Sequence, residues 1–461
     1  MTKCAVLLIV LALTAWLCLI LPVQVRSAWT IVVPDDYPTI QAAIDKANAG
    51  DTVFVKKGTY YEQTLEIKKA LFLLGEDVDK TIINLNPPLV NYTLIYLTSL
   101  VHSTAITIST NDVKLSGFTI NMPTDGIASL GGIIANGDNI EIVGNKLGRE
   151  CNLQLTGTLP SVIDNSIKSS LGVIGPNQTI TNNLLEEGLD TQGSYSRITG
   201  NTINGAVILK NGSFNLILNN SFSMMLLEYY DSNFISNNTF RYLDIGFYGH
   251  GCSNNTVNKN RVTGPGDRGI LMGTGSYNVF HDNLISNYTG GPSGYGIAIG
   301  RNLVAEHNIF YRNILMNNEV NVGANWDIEE VSNLWDNGKE GNFWDDYSGT
   351  DSNGDGIGDV PFLIEGLKWD DEEGGIVGFV FGQDNYPLMA PFDIDSVSIE
   401  LPDWASTSSN SSFVPQSEPF PILPVVAVSL VVVAVVAAGV LVYFKKRKHQ
   451  SIPSSTISNN K

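Results

Sequence analysis

One phrase recurs through the interior of this 461-residue chain: a short run of alternating apolar residues, then Asn, one variable residue and another apolar residue. It is centred on Asn145, Asn165, Asn183, Asn201, Asn220, Asn238, Asn260, Asn283 and Asn313, with Phe118 before Ile120 in the equivalent place one turn earlier. From Asn145 to Asn283 the intervals are 20, 18, 18, 19, 18, 22 and 23 residues. Such a period is too short for paired helices, but it is enough for one coil of two or three short strands with turns. One coil cannot bury its own apolar face, so coils must stack, and the pattern predicts an all-β solenoid, a parallel β-helix. Asn suits the repeated corner because it tolerates the left-handed conformation, and stacked copies can hydrogen-bond along the axis. A β-sandwich would not need one residue type at one phase through nine coils.

The open ends of such a solenoid need covers. Thr39 to Asn48 has apolar residues at helical spacing, follows Pro38 and stops at Gly50, which predicts an amphipathic capping helix. Asp51 to Tyr60 then supplies the first coil.

Both termini carry membrane signals. Residues 1–28, with Lys3, an apolar run from Ala5 to Leu21 and small residues at Ser27 and Ala28, read as a secretory signal peptide. Ile422–Phe444 is a 23-residue run without a charge, enough for a transmembrane helix. The basic tail 445–461 begins Lys445-Lys-Arg-Lys448, which places it in the cytoplasm and the bulk of the chain outside. Between them, the Ser/Thr/Pro-rich segment 401–421 reads as a stalk. The expectation is a single-pass type I cell-surface protein: β-helix with its N-terminal cap over 29–332, a distal cap over 333–400, then stalk, span and tail.

The chain holds 27 Lys and Arg against 46 Asp and Glu, a net charge of −19. That excludes nucleic acid as a partner, because so acidic a surface repels phosphate backbones. Residues 29–444 keep all 46 acids and only 20 of the bases, which suits divalent cations and high salt.

Tyr37-Pro-Thr-Ile-Gln-Ala-Ala-Ile44, with Gly50-Asp-Thr-Val53 and Gly58-Thr-Tyr60, resembles the start of pectin-lyase-like right-handed β-helix proteins. Gly341-Asn-Phe-Trp-Asp-Asp-Tyr-Ser-Gly349, with the Asp/Gly-rich run Asp351 to Asp359 and Asp384-Asn-Tyr-Pro-Leu388, resembles the NosD-like branch. That branch is named for a periplasmic copper-binding protein and is abundant on archaeal cell surfaces. The resemblance covers residues 29–392. It implies a right-handed parallel β-helix, carbohydrate binding or sugar hydrolysis from the broader family, and copper delivery from the branch name.

Asp351, Asn353, Asp355 and Asp359 stand at positions 1, 3, 5 and 9 of an EF-hand-like calcium loop, with Gly356 at position 6. Phe362 holds the twelfth position, where a bidentate Glu belongs, so Asp345, Asp346 or Glu365 would complete the shell. Bound calcium would knit the distal cap together. Trp369 to Glu373 is a further acidic loop, read as solvated. Copper needs converging His, Met or Cys. His250, Cys252, Met272 and His281 fall on adjacent coils, but no His-x-His, Cys-x-x-Cys or Met-rich run supports a site.

Gly249-His250-Gly251 resembles a motif of pectin-degrading hydrolases, with Arg268 beyond it, yet the paired aspartates that should precede it are missing. Asp231 and Asp244 stand alone. Tyr229, Tyr230, Tyr242, Phe247 and Tyr248 could stack on sugar rings along one face. Cys151 and Cys252, five coils apart, are expected as buried free thiols. Eight sequons, at Asn91, Asn177, Asn211, Asn219, Asn237, Asn254, Asn287 and Asn410, allow surface glycosylation, though turn chemistry also generates them. The functional expectation is non-catalytic binding of polysaccharide or cell-envelope components. Copper handling and a polysaccharide hydrolase or lyase are the alternatives.

Overall fold

Alternation makes the strands. In Val113–Ser116, Val113 and Leu115 point inward and the residues between them outward, and the same pattern recurs at each coil. The computed structural model describes residues 27–94, 97–102, 104–123, 132–246, 251–290, 294–299, 305–324, 332–370 and 375–406. Residues up to Ala405 form one compact unit. Its strands stack coil on coil into a 13-stranded parallel sheet running from Thr30–Val33 to Ile309–Tyr311, and a longer parallel sheet that turns round the other two faces. Thr202–Ser213 and Ser221–Asp231 run through both of those faces. The fold is a nearly all-β parallel solenoid, consistent with right-handed winding.

Each step of register is one coil, so like residues stack. Leu73, Leu115, Ile142, Val162, Ile180, Ile198, Ile217, Ile235, Val257, Phe280 and Phe310 form one buried column. Toward the distal end the column turns aromatic: Phe280 stacks on Phe310 at 4.7 Å and Phe310 on Trp335 at 4.6 Å.

The asparagines close the corner as expected. From Asn145 through Asn165, Asn183, Asn201, Asn220, Asn238, Asn260, Asn283 and Asn313, each Nδ2 donates to the next Oδ1 at 2.8–3.2 Å. Phe118 N–H donates to Asn145 Oδ1 at 3.1 Å, and the ladder runs one coil beyond the phrase, to Asn342. The left-handed residue, however, is the one before each ladder Asn, among them Asp164 (φ 56°), Asn219 (φ 57°) and Lys259 (φ 52°). A buried Asn with both amide ends engaged has no need of that conformation; the residue before it makes the turn.

A second ladder was not anticipated. Asn215, Asn233, Asn255, Asn278, Asn308 and Asn333 link at 2.9–3.1 Å. The first five precede Asn220, Asn238, Asn260, Asn283 and Asn313 by five residues, so two amide ladders flank each three-residue strand of the 13-stranded sheet.

The capping helix is present as Ile40–Lys46, with Thr39 as N-cap and Ile40, Ala43 and Ile44 buried. Glu62 accepts the Ile40 N–H at 2.7 Å, and Lys69 Nζ donates to the Ala47 carbonyl at 2.7 Å, so both helix ends are satisfied. Strand Thr30–Val33 precedes the helix and pairs with Thr52–Val55, so coiling starts before Asp51.

The distal end departs from the expected boundary. Coiling passes residue 332, with Leu334 bridged to Ile309 and Phe343–Trp344 paired with Ile314–Leu315. An antiparallel hairpin, Phe362–Asp370 with Gly375–Asp384, follows. The chain then runs back over the 13-stranded sheet: Arg312 covers the Phe392 ring at 4.8 Å, Arg261 pairs with Asp395 at 2.8 Å, and Lys259 and Arg197 donate to the carbonyls of Val397 and Ala405. Leu401 to Ala405 is therefore part of the folded body. A short helix, Asp403–Ser406, carries Ala405 into a buried cluster with Leu216 and Phe234. Among the described residues no helix is long and apolar enough to cross a membrane; the segments 1–26 and 422–444 lie outside them.

The first ladder ends on a carboxylate. Asp384 Oδ2 accepts Asn342 N–H at 2.6 Å and Trp344 Nε1–H at 2.8 Å, while its Oδ1 accepts Tyr386 N–H at 3.0 Å. Burial outweighs these donors and pushes the carboxyl up to about 6.

Two outcomes follow. Asn220→Ala removes the acceptor of two buried Asn201 donors and should cost about 2–4 kcal/mol in denaturant unfolding, whereas Asn219→Ala beside it should cost about 1 kcal/mol. Because the folded carboxyl of Asp384 titrates above its unfolded value near 4, its share of stability is complete below about pH 4 and is lost as pH rises through about 6, by up to about 3 kcal/mol. Melting curves of Asp384→Asn across this window should lack that slope.

Candidate functional site

The Asp/Gly loop that carries Asp351, Asn353, Asp355 and Asp359 closes on its own backbone. Asp351 accepts the N–H groups of Gly354 and Gly356 at 2.7 and 2.9 Å, Asp355 accepts that of Ile357 at 2.9 Å, and Asp359 accepts that of Ser352 at 2.9 Å. Bonds from Ser352 and Thr350 hold the Asp359 carboxyl below its usual range. Asp345 and Asp346 are engaged elsewhere: both accept from Asn321 Nδ2 at 2.9 Å, and Asp345 also takes the Asn317 N–H. The donor set is of the hard-oxygen type that calcium takes. Among the described residues, no three His, Cys, Asp or Glu side chains are grouped to hold a metal.

The copper constellation separates. Cys252 and Met272 are buried in the core, while His281 lies on the outer face of the 13-stranded sheet, stacked on Tyr311 at 5.1 Å and bonded to Asp282 at 2.7 Å. A three-residue strand with Phe280 inward must turn His281 outward. His250 lies outside the described residues. Cys151 and Cys252 are buried and in no disulfide, as expected, and burial pushes their thiols up to about 12 and about 11, away from the thiolate a metal needs.

The lone carboxylates are also absorbed. Asp231 accepts Ser253 N–H at 2.6 Å, and buried Asp244 accepts Tyr242 Oη at 3.0 Å, its carboxyl raised by desolvation. Of the aromatic set, Tyr230 is buried and Tyr242 half-buried, leaving Tyr229 exposed; Phe247 and Tyr248 lie outside the described residues. The exposed rings gather instead at the left-handed corner before the second ladder, where Tyr195 stacks on Phe214 at 5.4 Å and Tyr277 on His307 at 5.1 Å. Stacked this way, they cover one another's faces.

Sequon residues Asn177, Asn219 and Asn254 occupy those left-handed corners and are exposed, as are Asn211 and Asn287. Asn237 is half-buried, its Nδ2 donating to Asn219 Oδ1 at 2.7 Å. Turn geometry accounts for the asparagine in each. Asn410 lies outside the described residues, as do Asp371, Glu372 and Glu373 of the acidic loop.

The feature that sequence reading missed is a cleft on the outer surface of the longer sheet. One hollow of about 470 Å³ is lined by Thr119, Asn121, Lys146, Arg149, Ser166 and Lys168, among others. A second, of about 440 Å³, continues from Arg149 and Lys168 to Ser169, Glu186 and Glu187. Because Lys146–Leu147, Ser166–Ile167 and Leu184–Leu185 pair in register, the cleft crosses successive coils and meets hydroxyls, amides and charges at each step. Its signal in the sequence was a polar residue repeating at the coil interval just after each ladder Asn, at Lys146, Ser166 and, past Leu184, Thr202.

Residues 176–349 match the family described as periplasmic copper-binding protein (NosD). No curated protein matches the chain. Similar solved structures include PfbA, a surface adhesin of Streptococcus pneumoniae, at 14% identity over 76% of this chain and 99% of that one, TM-score 0.46. The family 28 exopolygalacturonase of Yersinia enterocolitica aligns at 10% identity over 69% of this chain and 77% of that one, TM-score 0.39. The A-module of the Azotobacter vinelandii mannuronan C-5 epimerase AlgE4 aligns at 13% over 64% and 90%, TM-score 0.29. At these identities the likeness is one of fold alone.

Proposed function

We propose that this NosD-like β-helix protein works at the cell surface as a non-catalytic binder of extended polysaccharide or other envelope polymers. The observation that carries the reading is the cleft, which repeats hydrogen-bonding groups from coil to coil along the axis, as a polymer repeats along its length. The carboxylates that hydrolysis would need are each held singly by structural bonds, which favours binding over chemistry. The dispersal of Cys252, Met272 and His281 argues in the same direction against copper delivery.

In this reading residues 1–28 direct export, 422–444 anchor the chain, 445–461 stay in the cytoplasm, and the sequons carry glycans. Calcium at Asp351, Asn353, Asp355 and Asp359 would brace the distal cap. Adding calcium after chelation should then raise the melting temperature of the full-length protein by several degrees, and Asp351→Ala with Asp355→Ala should abolish the rise; identical melts with and without calcium remove the ion from the proposal.

Full-length protein in affinity electrophoresis should be retarded by at least one extended polysaccharide without releasing new reducing ends. Ser166→Trp, which fills the cleft, should lose that retardation. Free migration through every polysaccharide tried, or release of oligosaccharides, would overturn the reading.

A further inference from the structure

Outward positions on the short strands of the 13-stranded sheet are half-buried at Ser161, Thr179 and Thr181. Leu216, Phe234, Ser236 and Asn258 are equally outward, because Ile217, Ile235 and Val257 fill the core, yet they are buried. Residues 392–405 lie along this stretch. Ala405 and Ile399 pack with Leu216 and Phe234, Trp404 sets its ring edge on Phe214 at 5.8 Å, and Lys259, next to Asn258, donates to the carbonyls of Asp395 and Val397. The hold is slight. From Phe392 to Pro402 no backbone-to-backbone bond reaches the sheet among the described residues; Ser396 and Val397 N–H donate locally, to the carbonyls of Asp393 and Ile394. Of residues 392–405 only Ile394 and Ala405 are buried, which puts the segment at the low-stability end of the fold. Ser236 Oγ and Asn258 Oδ1, at paired positions on neighbouring coils, are buried without a hydrogen-bond partner, so the segment leaves this face unsatisfied.

We propose that this face is a docking groove for an extended peptide in which apolar and acidic residues alternate, and that residues 392–405 are its removable occupant within the same chain. The segment shows the chemistry in Phe392-Asp-Ile-Asp395 and Ile399-Glu-Leu401; residues 391–406 hold Asp393, Asp395, Glu400 and Asp403 and no base. The face answers with Arg197 on the Ala405 carbonyl, Lys259 on two carbonyls and Arg261 on Asp395 at 2.8 Å. Arg312, over the Phe392 ring, is already matched by Asp282 and Glu340; Asp282 also holds His281, and Glu306 pairs with His307. Those acids are consumed, so Arg197, Lys259 and Arg261 are left to the occupant. Any extended chain offers backbone carbonyls, while Arg261 selects a carboxylate and Leu216 with Phe234 an apolar side chain. A peptide laid with its N–H groups toward Ser236 and Asn258 satisfies the two atoms that the resident segment leaves unmatched, which favours exchange. The groove and the cleft lie on different sheets, so this inference stands apart from glycan binding.

The test is fluorescence anisotropy of a labelled synthetic peptide of residues 391–406 titrated with full-length protein. Wild type should bind it weakly, because its own segment competes at high effective concentration. Asp395→Asn with Trp404→Ser loosens that segment and leaves the sheet untouched, so this variant should bind the peptide at least tenfold tighter, less so as salt rises. Adding Arg261→Ser should remove the gain, and a peptide with Asn in place of both Asp393 and Asp395 should bind the loosened variant at least fivefold more weakly. None of the three substituted side chains is buried, so unchanged melting curves will show that the variants fold. Equal binding by wild type and the loosened variant, equal binding of the acidic and amide peptides, or binding to neither protein overturns the proposal.

Discussion

The amide of asparagine is both donor and acceptor, and a file of such amides inside an apolar solenoid is the constraint on which everything else depends. Each Oδ1 takes the backbone N–H and the Nδ2 of the Asn one coil before it, while each Nδ2 also reaches a carbonyl of the preceding coil, as Asn220 does at Ile198. A buried amide left unmatched is costly, so the register between coils cannot slip by one residue. With two ladders five residues apart, the strand between them is held at three residues. Length can vary only at the other corners. Intervals between ladder residues accordingly range from 18 to 30 residues, while the separation of five holds in every coil that carries both ladders except the last, that of Asn333 and Asn342.

A chain of amides must also stop somewhere. At the proximal end a plain backbone N–H, that of Phe118, donates into it and needs nothing in return. The distal end has donors left over, those of Asn342, and the side chain that receives them is a carboxylate on a hairpin 42 residues further along. Gly341 makes room for it: a Cβ there would lie 1.7 Å from Asp384 Oδ1. The phrase Gly341-Asn-Phe-Trp344 and the distant Asp384-Asn-Tyr-Pro thus belong to one device that terminates the ladder, with Trp344 adding its own N–H.

Much of this was legible. Periodicity disclosed the solenoid, the first ladder, the proximal helix and two inert thiols, because each follows from local composition. The second ladder was hidden by its neighbours: in Asn254-Asn255, as in Asn219-Asn220 of the first ladder, one residue makes the exposed left-handed turn and the next is the buried amide, and sequence alone does not separate the two roles. Ser196 and Gln178 take the equivalent places in earlier coils, which blurs the pattern further. The return of residues 392–405 over the sheet was illegible for a different reason. Lys259 and Arg197 grip backbone carbonyls there, contacts that any residue could offer.

On paired strands of the 13-stranded sheet, Ser236 Oγ and Asn258 Oδ1 are buried without a hydrogen-bond partner. The ladders, by contrast, leave no amide of their own unmatched, so asparagine, the residue most abundant in the motif, is consumed by architecture. Recognition has to be sought where polar groups are not consumed. The cleft meets that condition because its charges come from positions one coil apart, at Arg149 and Lys168, which no short motif unites and which only the stacking of coils brings onto one surface. In a solenoid of this kind a binding site is written at the period of the coil, where polar side chains recur on one outer face.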